Sequence, residues 1–265
     1  MTKILNICIG HQPFPPSFEH YYDYMLGPLP LPEVPRFIHL PQTIFGPHGP
    51  SLSEYAQIFC VLQNMDKFLR DETHVRTFHY RRFVSNGQTA IGRACSFPWA
   101  TTIKKEELAF FQQDFSRDEG EELVNTPTRL PGGVLTQYAE VHPFEDILDF
   151  AKFLYERGIL SKLHVAGFLR EDILIPGSSI AVLTVENFKL INSVLVMASE
   201  FKDSPSFTPR TGYQRRNMGF LLERLNSFLL LEGIRQGKIQ GGIGKHMIIS
   251  DSFEITGTDD IFDQQ

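Results

Sequence analysis

A chain of 265 residues, 42% hydrophobic and 21% charged, can bury a sizeable core and is not a disordered polyanion. Its 25 basic against 31 acidic residues give a formal net charge of −6, which argues against a dedicated nucleic-acid binder but leaves room for a local basic pocket. Three widely spaced cysteines, Cys8, Cys60 and Cys95, form no CxxC pair, so they read as buried apolar filler in a reducing cytoplasm rather than as a zinc or redox motif.

The first apolar run, KILNICIG at 3–10, reads as a buried strand ending at a glycine; Asn6 and His11 interrupt or end it, so it does not resemble a signal peptide. Residues 11–50 are dense in proline and aromatics. They cannot be regular helix and read as an ordered loop system, the kind of long loop that often carries function. SLSEYAQIFCVLQNMDKFLRD at 51–71 has apolar residues at helical spacing behind a serine and a glutamate, which predicts a capped amphipathic helix. THVRTFHYRRFVS at 73–85 predicts a single strand. The rhythm of strand, helix and strand points to an α/β domain.

Further on, KKEELAFFQQDF at 104–115 predicts a short helix, and 132–160 predicts a long helical pattern broken near Pro143. Residues 172–201 read as strand, turn, strand and helix. Residues 211–237 read as a strong helix stopping at Gly233 or Gly237. A terminal strand follows at 238–251, and the last residues read as a frayed tail. The organisation expected is one domain over 1–250 with a helical insertion, and a C-terminal tail over 251–265. The apolar run LNSFLLLEGI is too short to span a bilayer, which needs about 20 residues. The chain therefore reads as soluble, or at most peripheral to a membrane.

Three clusters could carry chemistry. In the first, HYRR, strand alternation would put His79 and Arg81 on one face and Tyr80 and Arg82 on the other. If helices cover the sheet, at least one arginine must enter a polar crevice and meet a carboxylate or phosphate, for which the planar guanidinium is suited. The plain alternative is an edge strand with solvated arginines. In the second, YQRRNMGFLLERL, Gln214 and Arg215 sit near a helix start while Glu223 and Arg224 interrupt an apolar segment. Glu223 could be a general base or could fix an arginine; alternatively Glu223 makes a surface ion pair with Arg216 or Arg224. In the third, YAEVHPFED, Tyr138, His142 and Asp146 recur every four residues, which fits one helical face and either a site or a hydrogen-bond network. No phosphate-binding loop, nucleophile elbow, dinucleotide fingerprint or acidic metal motif is present, and GGIGKH is only weakly suggestive of phosphate binding.

Taken in order, IGHQP, SEYAQIFCVLQNM, TFHYRRFVS, YAEVHPFEDILDF and YQRRNMGFLLERLNSFLL resemble the DUF4422-type bacterial capsule and lipopolysaccharide glycosyltransferases, from about residue 4 to 231. The chain departs from that pattern in lacking tryptophans between the first helix and HYRR, and in its proline-rich segment 12–50. The resemblance implies a glycosyltransferase-A-like fold, a Rossmann-type sheet flanked by helices. It also implies transfer of a sugar from a nucleotide-diphosphate donor to a growing surface glycan or lipid-linked acceptor, in the cytoplasm or at the inner face of the membrane. On that reading His11, His79, Arg81, Arg82, Gln214, Arg215 and Arg224 are expected on the donor side. Glu223 and Asp146 are the candidate bases, and His142 and Ser178 lie toward the acceptor. No metal ligand set is expected, because arginine and histidine can stabilise the leaving diphosphate, although manganese or magnesium is compatible with such chemistry. The rival readings are an inactive sugar- or phosphate-binding partner in a polysaccharide assembly, and a nucleotidyltransferase. The latter would call for a glycine-rich loop after the first strand, which GHQPFPPSF lacks.

Overall fold

The computed structural model describes residues 3–13, 20–95, 97–117 and 121–250. The expected tail over 251–265 lies outside them. The first strand, β1 (Ile4–Ile9), is buried along its whole length. Its alternation sorts the two faces of the sheet: Leu5, Ile7 and Ile9 join one apolar cluster, and Cys8 joins another. Within its described residues the proline-rich segment, expected to be a loop system, holds two short strands, β2 (Tyr24–Gly27) and β3 (Phe37–His39), that extend the sheet in parallel.

The predicted helix over 51–71 is shorter and broken. α1 (Tyr55–Gln63) ends at Asn64, and a single turn, α2 (Met65–Phe68), follows. Its N-cap is Glu54, which makes no capping hydrogen bond. Ser53 and Glu54 turn instead toward a distant arginine.

The largest correction concerns 73–85. β4 (His74–His79) stops at His79, reverses through Tyr80 and Arg81, and returns as β5 (Arg82–Ser85), antiparallel, with His79 paired to Arg82. Directly opposed residues in an antiparallel pair share a face. His79 and Arg82 therefore go together, and the expected grouping of His79 with Arg81 and of Tyr80 with Arg82 does not hold.

β6 (Arg93–Ala94) and β7 (Ala100–Lys104) form one edge of the sheet, and 105–115 is a kinked 3₁₀ segment rather than an α-helix. β8 (Leu123–Asn125) is interior, and β9 (Thr128–Arg129) begins a small separate ribbon. Pro143 divides the long helical pattern into α3 (Gly133–Val141) and α4 (Phe144–Glu156), as the missing amide requires. In α4, Ile147, Phe150, Ala151 and Leu154 are buried at helical spacing, and Glu145 and Asp146 occupy the first turn where the helix dipole favours them. α5 (Lys162–Arg170), capped by Ser161 Oγ on His164 N at 3.2 Å, is an element the sequence pattern did not predict.

β10 (Ile173–Leu174), β11 (Ala181–Thr184) and α6 (Val185–Ser199) follow the expected strand, turn, strand and helix. The late helix starts later than expected: 212–216 is a 3₁₀ turn, and α7 (Asn217–Arg235) runs past Gly233 and stops before Gly237, which takes φ +66°. β12 (Gly242–Ser250) closes the chain.

The main sheet runs β3-β2-β1-β4-β11-β8-β12-β7-β6, with β5 bridging β4 and β12. It is mixed: β1, β2, β3 and β4 are parallel, and β11 runs against β4. Helices α1 and α3 to α7 pack one face around Phe59, Phe150, Phe168 and Leu225. The 3₁₀ segment and the chain around Tyr22 and Val34 cover the other, around Phe78, Phe83, Phe111 and Phe115. Each such side chain contributes about 1.5–3 kcal/mol relative to exposure. The result is a single mixed α/β domain, with its polar crevice at the carboxyl ends of β1 and β4.

Candidate functional site

β1 and β4 are adjacent and parallel, with Ile9 beside His79, so the residues that follow them emerge together. Open α/β sheets bind ligands at such carboxyl edges. Here a cavity of about 410 Å³ is lined by His11, His79, Arg81, Arg82, Arg215 and Arg216, with Glu54, Ser53, Gln42 and Gln57 among the remaining polar walls. Four arginines and two histidines face one carboxylate in that lining.

Gly10 is essential to the geometry. A Cβ there would lie 2.5 Å from Cδ1 of Tyr80, so only glycine lets the end of β1 pass the hairpin turn. Tyr80 in turn meets His11 edge-on at 4.9 Å, its hydroxyl 3.5 Å from Nε2, and the Arg81 guanidinium lies over the Tyr80 ring at 5.5 Å.

Arg216 comes from the 3₁₀ turn before α7. Its Nε and Nη2 donate to Ser53 Oγ at 3.0 and 2.6 Å, and Nη2 reaches Glu54 Oε2 at 3.4 Å. Ser53 Oγ also donates to Glu54 Oε2. The expected ion pair of Arg216 with Glu223 is thus replaced, whereas Glu223 does pair with Arg224 at 3.1 Å. Residues 212–216 are not part of α7, so Arg216 does not share the helical face that such pairing assumed. Ser53 adopts φ +55°, a left-handed conformation that is strained for a side-chain-bearing residue. It is held by Arg216 on its hydroxyl and by Gln42 Nε2 on its carbonyl at 3.0 Å. α7 can approach that turn because position 219 is glycine: a Cβ there would lie 2.8 Å from the Ser53 Cβ.

Burial pushes the Glu54 carboxyl up, but His79, Arg216 and the Ser53 hydrogen bond pull it down to about 2, so it stays ionised. Burial lowers His79 to about 4, opposed by Glu54 and reinforced by Arg82, Arg216 and Arg81. His11 is lowered as well, by burial and then by Arg81 and Arg216. At neutral pH the positive charge of the cavity therefore sits on arginines, and the two histidines are neutral. Arg82 is lowered by burial and by Arg81, with Glu54 and Glu223 opposing, and its Nε finds no partner among the described residues. A buried cation with an unused donor is poised for an anion.

The remaining predicted residues are not part of this lining. Glu223 accepts from Gly177 N at 3.1 Å and from Arg224 Nη1 at 3.1 Å, and its side chain is 29% exposed. Ser178 Oγ donates to the Glu223 carbonyl at 3.0 Å. Arg224 also donates to Phe220 O and Gln137 Oε1 and lies over Tyr138, so its charge is used in bracing α3 against α7. His142 is buried against Phe220, 4.2 Å between ring centroids, and Nδ1 lies 2.9 Å from Gln214 Oε1; burial lowers it to about 4. Gln214 Nε2 donates to Val141 O at 2.9 Å. Asp146, 5% exposed, accepts from Arg210 at 2.7 Å and from Asn217 at 3.2 Å. Its carboxylate is thus already occupied in tying α4 to the start of α7. No group of three metal-ligating side chains occurs among the described residues.

Sequence reasoning misses Ser53, Glu54, Gln42 and Gln57, and weighs Arg216 only as a surface partner. The one signal present is a serine and a glutamate ahead of an apolar helix, which reads as a cap. Arg76, the third arginine of the basic stretch, points to the opposite face. There it donates to Asn6 Oδ1 at 2.8 Å and Ser116 O at 3.0 Å, deep under the 3₁₀ segment.

The fold matches that of a glycosyltransferase structure. The described chain is similar to the apo structure of WbbM, a bifunctional glycosyltransferase, with a TM-score of 0.70 and 13% identity over 94% of this chain. At that identity the likeness is one of fold. The chain spans about half of that protein, 46% of its length. No family model matches the sequence, and no curated relative was found.

Proposed function

We propose that the protein is a nucleotide-sugar glycosyltransferase whose donor diphosphate occupies the basic cavity at the ends of β1 and β4. One observation carries this reading: arginines from two distant segments, 81–82 and 215–216, converge with His11 and His79 on that cavity. A finer assignment to the glycosyltransferase-A class and to surface-polysaccharide synthesis accords with the sequence resemblance and the fold likeness.

In the step proposed, an acceptor hydroxyl oxygen attacks the anomeric carbon, and the bond from that carbon to the phosphate oxygen breaks. The electron pair leaves with the nucleoside diphosphate, where Arg81, Arg82, Arg215 and Arg216 offset the growing charge. The acceptor proton passes to the Glu223 carboxylate, the partly exposed carboxylate that faces Arg82 electrostatically. Glu54 holds Arg216 in place. Asp146, the other candidate base, braces the scaffold. The acceptor would be a glycan or lipid-linked glycan met in the cytoplasm at the membrane face; no helix among the described residues is long and apolar enough to cross a membrane.

A panel of nucleoside diphosphates and nucleotide-sugars in a thermal-shift assay, followed by donor hydrolysis, tests the reading. Stabilisation by a nucleoside diphosphate together with slow hydrolysis of its sugar donor is expected. Binding without any turnover would favour a non-catalytic partner, and no binding would remove the proposal.

A further inference from the structure

The last strand runs out beside the arginines of the basic cavity. β12 is held on both sides: Ile248 pairs with Arg82 of β5, and His246 to Ser250 pair with Ala100 to Lys104 of β7. Because β12 and β5 are antiparallel, β12 finishes where β5 begins. The Ile249 amide donates to the Arg81 carbonyl at 2.8 Å. Arg81 and Arg82 are walls of the cavity. Ser250 therefore follows directly on a hydrogen bond to the turn that carries them.

The sequence beyond Ser250 is acidic. DSFEITGTDDIFDQQ, 251–265, holds Asp251, Glu254, Asp259, Asp260 and Asp263 and no lysine, arginine or histidine. The cavity has the opposite composition, with Arg81, Arg82, Arg215 and Arg216 against the single carboxylate of Glu54. Reach is no obstacle. An extended chain covers about 3.3–3.6 Å per residue, so Asp259 can act anywhere within about 30 Å of Ser250. A tethered segment also meets its site at an effective concentration of the order of millimolar.

We propose that residues 251–265 form an acidic strap that docks in the basic cavity, where its carboxylates take the places of the donor phosphates. Carboxylate and phosphate both accept paired hydrogen bonds from a guanidinium, so one set of arginines serves either. With no donor bound, the strap supplies the anions that clustered, partly buried cations require. A donor must displace it, and apparent donor affinity falls in proportion to the fraction of molecules whose cavity is open. The strap regulates the proposed transferase site and rests on that reading for the word donor, but its docking can be tested separately.

Phenylglyoxal reacts with accessible guanidinium groups and reads the docking without any nucleotide. Wild type would be compared with a full-length variant carrying Asp251→Asn, Glu254→Gln, Asp259→Asn, Asp260→Asn and Asp263→Asn. Modification of Arg81 is followed by peptide mass spectrometry, with Arg129, whose side chain is 84% exposed, as the internal reference. Arg81 should react about tenfold faster in the variant, as for a strap that closes the cavity about nine-tenths of the time, and Arg129 equally in both. Uridine, guanosine and adenosine diphosphate would then be titrated into both proteins by calorimetry, and the nucleotide that binds should bind the variant about tenfold more tightly. Raising sodium chloride to about 0.5 M should speed Arg81 modification in wild type, so the test holds even if the variant does not fold. Arg81 rates that change neither with the substitutions nor with salt overturn the strap, and so does weaker nucleotide binding by the variant. Protection of Arg81 that disappears on dilution would place the segment in the cavity of a second copy and overturns it too. Protection of Arg81 without nucleotide binding to either protein would keep the strap and remove the donor reading. Nucleotide binding without any protection of Arg81 would remove the strap and keep the donor reading.

Discussion

Replacing Arg82 with methionine separates function from fold at the centre of the site. The side chain keeps its length and loses its charge. In the unliganded protein Arg82 is crowded by Arg81 and Arg216, its Nε has no partner among the described residues, and only Glu54 and Glu223 compensate it at longer range. An unsatisfied buried donor costs about 1–3 kcal/mol, so the unliganded variant should be as stable as wild type or more so. For a chain of this size each kcal/mol moves the melting temperature by about 2–4 °C, which differential scanning fluorimetry resolves. Binding should move the other way. A hydrogen bond between a guanidinium and a phosphate contributes about 1.5–3 kcal/mol, so nucleoside diphosphate affinity measured by isothermal titration should fall about 10- to 150-fold. An Arg82→Met protein that melts several degrees lower and binds the nucleotide as tightly as wild type would show that the arginine serves the fold, and would refute the donor-site argument.

Four further outcomes are expected. Glu223→Gln should keep nucleotide binding and lose turnover by about 10²–10⁴-fold in a transfer assay, as removal of a general base does. Asp146→Ala strips Arg210 and Asn217 of their acceptor and should cost about 1.5–3 kcal/mol in urea unfolding, with nucleotide affinity little changed. His79 sits at about 4 in the free protein, and a bound diphosphate must raise it, so binding should take up protons and tighten as pH falls from neutral toward 5; titration in two buffers of different ionisation heat measures the uptake, and His79→Gln should reduce it. Transfer activity should survive excess chelator, since arginines supply the charge; complete loss restored by manganese would assign that task to a metal.

Much of this molecule is legible in its sequence. The short apolar run of KILNICIG, ended by a glycine, predicts a buried strand, and β1 is buried along its whole length. Pro143 marks a helix break because it lacks an amide. HYRR stands out because cations in an apolar stretch need anionic partners, and that chemistry does not depend on topology. Tertiary structure alone decides which residues meet. The reversal at Tyr80 and Arg81 uses neither glycine nor asparagine nor proline, so no turn signal announces it; yet it is what turns His79 and Arg82 to the same face. Arg216 could have paired with several carboxylates near it in sequence. It pairs with Glu54, 162 residues away, because the strained Ser53 turn and the glycine at 219 let α7 come down onto the start of α1. Trp99 carries no motif and His246 only ends the weak GGIGKH pattern; the two become neighbours because β7 and β12 pair. Periodicity records which way a side chain faces within its own element. The choice of partner across the molecule is set by how elements pack, and that information is spread over the whole chain.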